Sequence, residues 1–216
     1  MSRFDKKYSI CVIDIGSPRL GNLGWFLYDA VSDCTHSGQH LDDLVEPFLQ
    51  TVDRSAVLLG LEAPLFVPIR ADIMLATKAR AGESPRPWSA GAGAQVLAMN
   101  LPIMTYFLQK LSAQQSPLVG HAHADAFHSQ PGEFLMFEAL VSGSNKGSSH
   151  IDDAKIMVDY CRHYSDQCQL PPSILQPEVD TTYLNLAYCA LLYTGFTDDL
   201  ALLRQPSPIY RPDYHL

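Results

Sequence analysis

Tyr8-Ser9-Ile10-Cys11-Val12-Ile13-Asp14-Ile15 carries only two polar residues, Ser9 and Asp14. The run is rich in β-branched side chains and nearly continuous in its apolarity. That pattern predicts a central strand buried on both faces. Gly16, Pro18, Gly21 and Gly24 then predict a loop. Residues 24–31 (Gly-Trp-Phe-Leu-Tyr-Asp-Ala-Val) read as a second strand, and the short link makes it an antiparallel return. A fainter strand pattern follows at 33–38.

Further out, Leu41, Leu44, Val45, Phe48, Leu49 and Val52 recur at helical spacing. Residues 56–62 (Ala-Val-Leu-Leu-Gly-Leu-Glu) form a second apolar strand that ends before Pro64. A helical crossover between two strands makes them parallel neighbours, so the ends of 8–15 and 56–62 are expected side by side. Ligands of open α/β sheets bind at that edge. From 65 to 130 the character changes. Arg70 to Arg80 reads as helical, 82–93 as a Gly-, Ser- and Pro-rich loop, and Ala94 to Leu111 as a helix. The stretch is expected as a mainly helical insertion or cap. Residues 134–141 return to strand character, and 151–164 and 181–194 read as helices. The fold class is α/β, in a single domain over 1–216.

Composition limits the function classes. The chain has 216 residues, 47% of them hydrophobic, enough for a substantial core. The formal net charge of −8 argues against a protein that coats nucleic acid, because phosphate contacts dominate such binding. Five cysteines, Cys11, Cys34, Cys161, Cys168 and Cys189, form no C-x-x-C pair and read mostly as small apolar residues of a reducing compartment. Residues 1–7 carry no signal-like apolar stretch, and no apolar run reaches membrane-spanning length. A cytoplasmic protein without a membrane partner is the expectation.

Single carboxylates inside apolar runs carry the candidate chemistry. Asp14 ends the first strand, Glu62 ends the second, and Glu138 sits in Met-Phe-Glu-Ala-Leu on a third. Asp152 and Asp153 open a helix. Burying an ionised carboxylate alone is costly, and a shared divalent cation relieves several at once. Carboxylate oxygens are hard ligands that suit Mg²⁺ or Mn²⁺. Each residue also has an ordinary role: a turn cap for Asp14, the edge of burial for Glu62, an arginine partner such as Arg70 for Glu138, and a helix-dipole role for Asp152 and Asp153. Recurrence on three strands favours the joint reading. Asp153 lies four residues before Met157 and eight before Cys161, so it leans toward the core, while Asp152 aligns with Ile156, Asp159 and His163.

Three segments also carry a resemblance: Val-Ile-Asp14-Ile-Gly, Leu-Glu62-Ala-Pro-Leu followed by Arg70, Asp72 and Arg80, and Phe-Glu138-Ala-Leu followed by His150-Ile-Asp-Asp-Ala. The chain resembles a family of predicted ribonuclease-H-like nucleases catalogued as a domain of unknown function. The resemblance implies a ribonuclease-H-like mixed sheet flanked by helices. It also implies a metal-dependent nuclease or phosphodiesterase site with Asp14, Glu62, Glu138 and Asp153 as catalytic metal ligands. Glu62 stands where the family usually carries aspartate, and Asn185 is a rival counterpart of the last acidic position.

Arg70, Lys78, Arg80 and Arg86 concentrate positive charge beside Glu62, and Arg70 and Arg80 are candidate phosphate contacts for a nucleic-acid partner. His121-Ala-His123-Ala-Asp125-Ala-Phe-His128 has zinc-ligand spacing and resembles a metallohydrolase signature, but Ala126 stands where that signature has histidine. Two alternatives remain open beside the nuclease. One is a non-catalytic domain of the same fold that binds a protein or small ligand. The other is a His-rich zinc-dependent hydrolase.

Overall fold

The computed structural model describes residues 6–83, 87–114, 117–141 and 146–212. Strand β1 (Ser9–Asp14) is buried at every position and lies in the middle of a seven-stranded mixed sheet. It turns through a short 3-10 segment (Pro18–Leu20) into β2 (Gly24–Asp29) and then β3 (Cys34–Gly38), both antiparallel to their predecessors. Helix α1 (Leu41–Val52) carries the chain across to β4 (Val57–Leu61), which runs parallel to β1.

The next elements are β5 (Phe66–Arg70), α2 (Ala92–Ser112), β6 (Val119–His121) and β7 (Glu133–Ala139). They are followed by α3 (His150–Ser165), β8 (Thr181–Asn185), α4 (Leu186–Tyr193) and β9 (Ile209–Tyr210). The main sheet runs β3-β2-β1-β4-β7-β6, and β9 pairs with β7 beyond the end of β6. β5 and β8 form a separate antiparallel ribbon.

The pleat sorts the side chains to two faces, because successive residues of a strand point opposite ways. Cys11, Ile13, Leu59, Leu61, Phe134 and Met136 face a core shared with α1, α2 and α4. Ile10, Val12, Leu58, Leu135, Phe137 and Ala139 face a second core covered by α3. No helix among the described residues is long and apolar enough to cross a membrane.

Residues 65–130 depart from expectation. α2 is a core helix packed on α1 and α4, and β6 extends the main sheet, so the segment is woven into the domain rather than laid over it. The stretch Arg70–Arg80, expected as helix, is the end of β5, a 3-10 turn at Ile73–Leu75 and turns beyond. A long-range contact decides this. The Arg70 guanidinium donates to the carbonyls of Leu75, Lys78 and Ala79 and to the Glu178 carboxylate. These contacts hold the turns around the Arg70 side chain. The helix expected at 181–194 begins at Leu186; its first residues form β8.

Candidate metal centre

Asp14 closes β1 and Glu62 follows β4, with the Glu62 N–H donating to the Ile13 carbonyl. Both have the parity of Val12 and Leu58, so both face α3. α3 is pressed onto this edge because Gly24, the partner of Asp14 on β2, has no side chain. A Cβ there would stand 2.5 Å from the backbone of His150 and Ile151. Ser149 caps the helix by accepting the Asp152 N–H, which fixes the first turn. That turn delivers Asp153 to the two strand ends. One carboxylate oxygen from each of Asp14, Glu62 and Asp153 lies within 4.8 Å of the others.

A histidine and a lysine complete the cluster. His150 Nδ1 lies 2.5 Å from Asp14 Oδ2. Lys146 Nζ donates to Glu62 Oε1 at 3.1 Å and to Asp153 Oδ2 at 3.2 Å. The Gly147 N–H donates to Asp153 Oδ1 at 2.5 Å. Glu62 Oε2 is buried with no hydrogen-bond donor among the described residues. Such an atom bears a desolvation cost of about 1–3 kcal/mol, more for a charged group, unless something else satisfies it.

The electrostatics follow from burial. It raises the Asp14 carboxyl above the usual carboxylate range, against the pull of Glu62, His150 and Lys146. Burial and then the Asp14 charge push Glu62 up to about 9. Burial works against the Lys146 ammonium, but the Glu62 and Asp14 carboxylates outweigh it and lift Lys146 above the ordinary lysine value. The three carboxylates therefore favour a bound cation, and Lys146 alone does not meet that demand. The orphaned Glu62 oxygen and the all-oxygen donor set fit a hard divalent ion.

Glu138 is not part of this cluster. Register pairs it with Leu61, so it shares the face of Leu61, opposite Glu62. Ala139, one residue on, holds the α3-facing position beside Glu62. Glu138 instead binds Arg80 through both oxygens, at 2.6 and 2.9 Å, and accepts the Leu65 N–H at 3.1 Å. Arg80, 1% exposed, also holds Glu83 at 2.8 Å and stacks over the Phe66 ring. Arg70 is paired with Glu178 at 2.8 Å. Neither arginine is a free phosphate contact. Arg86 lies outside the described residues.

Asp152 is half-buried and accepts from Ser148 Oγ, outside the three-carboxylate cluster. Asn185, fully buried, caps α4 through the Tyr188 N–H and donates to the Gln205 carbonyl and Ser207 Oγ. Its amide is consumed by structure, on the side of the sheet away from α3. No family model, curated protein or solved structure matches this chain. The candidate centre therefore rests on its geometry.

Two members escaped the sequence reading. His150 precedes Asp153 by three residues, a spacing that puts both on one helix face, so it was within reach. Lys146 sits in a Gly- and Ser-rich stretch with no periodicity to mark it. The histidines lie elsewhere. His121 closes β6 and stands beside Leu135, near the start of β7, whereas the carboxylates gather at the far ends of the strands. Burial pushes the His121 imidazole below its ordinary value.

Proposed function

We propose that the protein is a metal-dependent phosphodiesterase or nuclease of ribonuclease-H-like fold, with Asp14, Glu62 and Asp153 as the ligands of Mg²⁺ or Mn²⁺. The observation that carries this reading is the convergence of the three carboxylates, with one Glu62 oxygen left unsatisfied, at the C-terminal ends of two parallel strands. An ion held there would supply Lewis-acid polarisation of a phosphoryl oxygen and a water of lowered pKa. The chain's own groups set the rest. His150 holds Asp14 in place, and the Gly147 N–H and Lys146 fix Asp153. The Lys146 and His150 side chains, 44% and 38% exposed, reach both the carboxylates and solvent. They are the groups that would meet a phosphate, in place of Arg70 and Arg80. With a net charge of −8, the nucleic-acid contact would be confined to this opening.

A second reading, a domain of this fold without catalysis, is favoured by Lys146. Its ammonium bridges Glu62 and Asp153 and partly neutralises the cluster. One assay separates the two. Single- and double-stranded DNA and RNA are incubated with Mn²⁺ and either wild type, Asp14→Asn or Asp153→Asn. The nuclease reading expects cleavage by wild type and a loss of about 10²-fold or more in each variant. Absence of cleavage on all four substrates selects the second reading.

A further inference from the structure

A second cluster of ligand-type side chains lies at the opposite end of the α3-facing side of the sheet. Val119 pairs with Glu133 and His121 with Leu135, so His121 and Glu133 project from neighbouring strands on one face. Glu133 Oε2 is fixed by two backbone donors, the N–H groups of His128 at 3.0 Å and Gln130 at 3.2 Å. That leaves Oε1 directed at two imidazoles. His121 Nε2 is 3.9 Å from it and His128 Nδ1 is 3.7 Å. Both separations are too long for hydrogen bonds. His121 Nε2 is buried with no hydrogen-bond partner among the described residues.

These distances have a chemical meaning. A tetrahedral zinc ion with bonds of about 2.0–2.2 Å holds its ligand atoms about 3.4 Å apart. Each imidazole nitrogen therefore stands a few tenths of an ångström from ligand spacing to the carboxylate oxygen, whereas the two nitrogens lie more than 4.8 Å from each other, so the set closes only when His128 turns toward His121. The His128 side chain is 70% exposed, so it can swing closer to His121 without disturbing the core. Glu133 is held by backbone N–H groups, as carboxylate ligands commonly are by their outer partners. Two imidazoles and one carboxylate form a borderline donor set, unlike the all-oxygen set at Asp14.

We propose that His121, His128 and Glu133 form a second metal site, selective for a divalent transition ion such as Zn²⁺ and separate from the carboxylate centre. The ion clamps the segment between β6 and β7 to the sheet. It leaves a fourth position for water.

The test uses the full chain carrying Asp14→Asn and Asp153→Asn, which removes the carboxylate centre. After treatment with chelator it is titrated with Zn²⁺ by calorimetry and with Co²⁺ by absorption in the visible region. One equivalent of Zn²⁺ and the bands of a tetrahedral Co²⁺ complex are expected. Adding His121→Gln should abolish both, and adding His128→Gln should weaken binding at least about tenfold. Absence of zinc uptake, or uptake unchanged by both histidine substitutions, overturns the proposal. Should His121→Gln fail to fold by circular dichroism, His128→Gln decides alone, because its ring is exposed: retained affinity refutes the site and lost affinity supports it.

Discussion

Glu62 and Glu138 stand on adjacent parallel strands, and Leu61, next to Glu62, is the register partner of Glu138. Both belong to deeply buried strand ends, yet they are treated in opposite ways. On one face Glu138 has both oxygens on the Arg80 guanidinium and a backbone N–H besides. On the other face Glu62 has a half-exposed lysine on one oxygen and, among the described residues, only the neighbouring Asp14 carboxyl beside it. A carboxylate with a structural task is satisfied within the chain. One left short of partners beside two others belongs to a cluster that could hold a metal ion.

The sharpest way to break this comparison is to remove the structural partner. Arg80→Met leaves Glu138 and Glu83 buried without their cation, which costs about 3–5 kcal/mol. For a chain of this size the melting temperature should fall by roughly 10 °C or more. Mn²⁺, as a ligand of the folded state alone, is expected to raise the melting temperature, and in Arg80→Met that rise should persist, because the carboxylate centre lies across the sheet. Thermal unfolding with and without Mn²⁺ measures both. A loss no larger than that of a surface substitution would show that the arginine fork is not what satisfies Glu138.

The next effect is a pH dependence. Glu62 in the folded chain is raised to about 9, and Asp14 is raised too. A group raised on folding stabilises the folded state while it is protonated. That contribution is complete below the ordinary carboxylate range and is lost as pH rises through about 9. The metal-free protein should therefore melt several degrees lower at pH 9 than at pH 6. Mn²⁺, which takes the ionised form, should flatten or invert the slope. In Glu62→Gln most of the slope and the Mn²⁺ response should both vanish. A slope unchanged in that variant would place its origin elsewhere.

A smaller effect tests the built-in cation. Lys146→Met removes the ammonium that bridges Glu62 and Asp153. If lysine and metal compete for the same oxygens, calorimetry should find Mn²⁺ bound about tenfold more tightly, or about 1.4 kcal/mol. Weaker binding would mean that Lys146 positions the ligands rather than competing with the ion.

The same pair of glutamates explains what the sequence can disclose. The apolar runs of β1, β4 and β7 mark strands buried on both faces, and they were legible for that reason. Continuous apolarity hides parity, however. An alternating strand declares its outer face, whereas Phe-Leu-Met-Phe-Glu-Ala-Leu does not. Only register assigns Glu138 to one side, and a shift of one residue would have exchanged it with Ala139. Arg80 and Arg70 were misread for a related reason. Glu138 and Glu178, which they bind across the fold, lie 58 and 108 residues away, beyond any local pattern, and only Glu83, three residues after Arg80, is a local carboxylate partner. The short strands β6 and β9, of three and two residues, owe their existence to the neighbouring β7. Asp14, Glu62 and Asp153 were legible because topology alone brings two parallel strand ends and the α3 N-terminus together.

The smallest expected difference is the most discriminating, because it separates neighbours on one helix turn. Asp153 is 5% exposed and is gripped by the Gly147 N–H and Lys146. Asp152, half-buried, accepts from Ser148 Oγ instead. Both sit in the first turn of α3, so each carries a similar favourable interaction with the helix dipole. That shared contribution cancels when Asp152→Asn is compared with Asp153→Asn. What remains is the position of the side chain relative to Asp14 and Glu62. Asp152→Asn should leave the melting temperature within about 2 °C of wild type. It should also leave the Mn²⁺ response intact. Asp153→Asn should keep the fold, since an amide fills the same space, and lose most of that response. Unfolding curves of the three proteins with and without Mn²⁺ provide the measurement. Equal losses in the two variants would mean that α3 meets the sheet in a different helical phase, and the three-carboxylate centre would go with it.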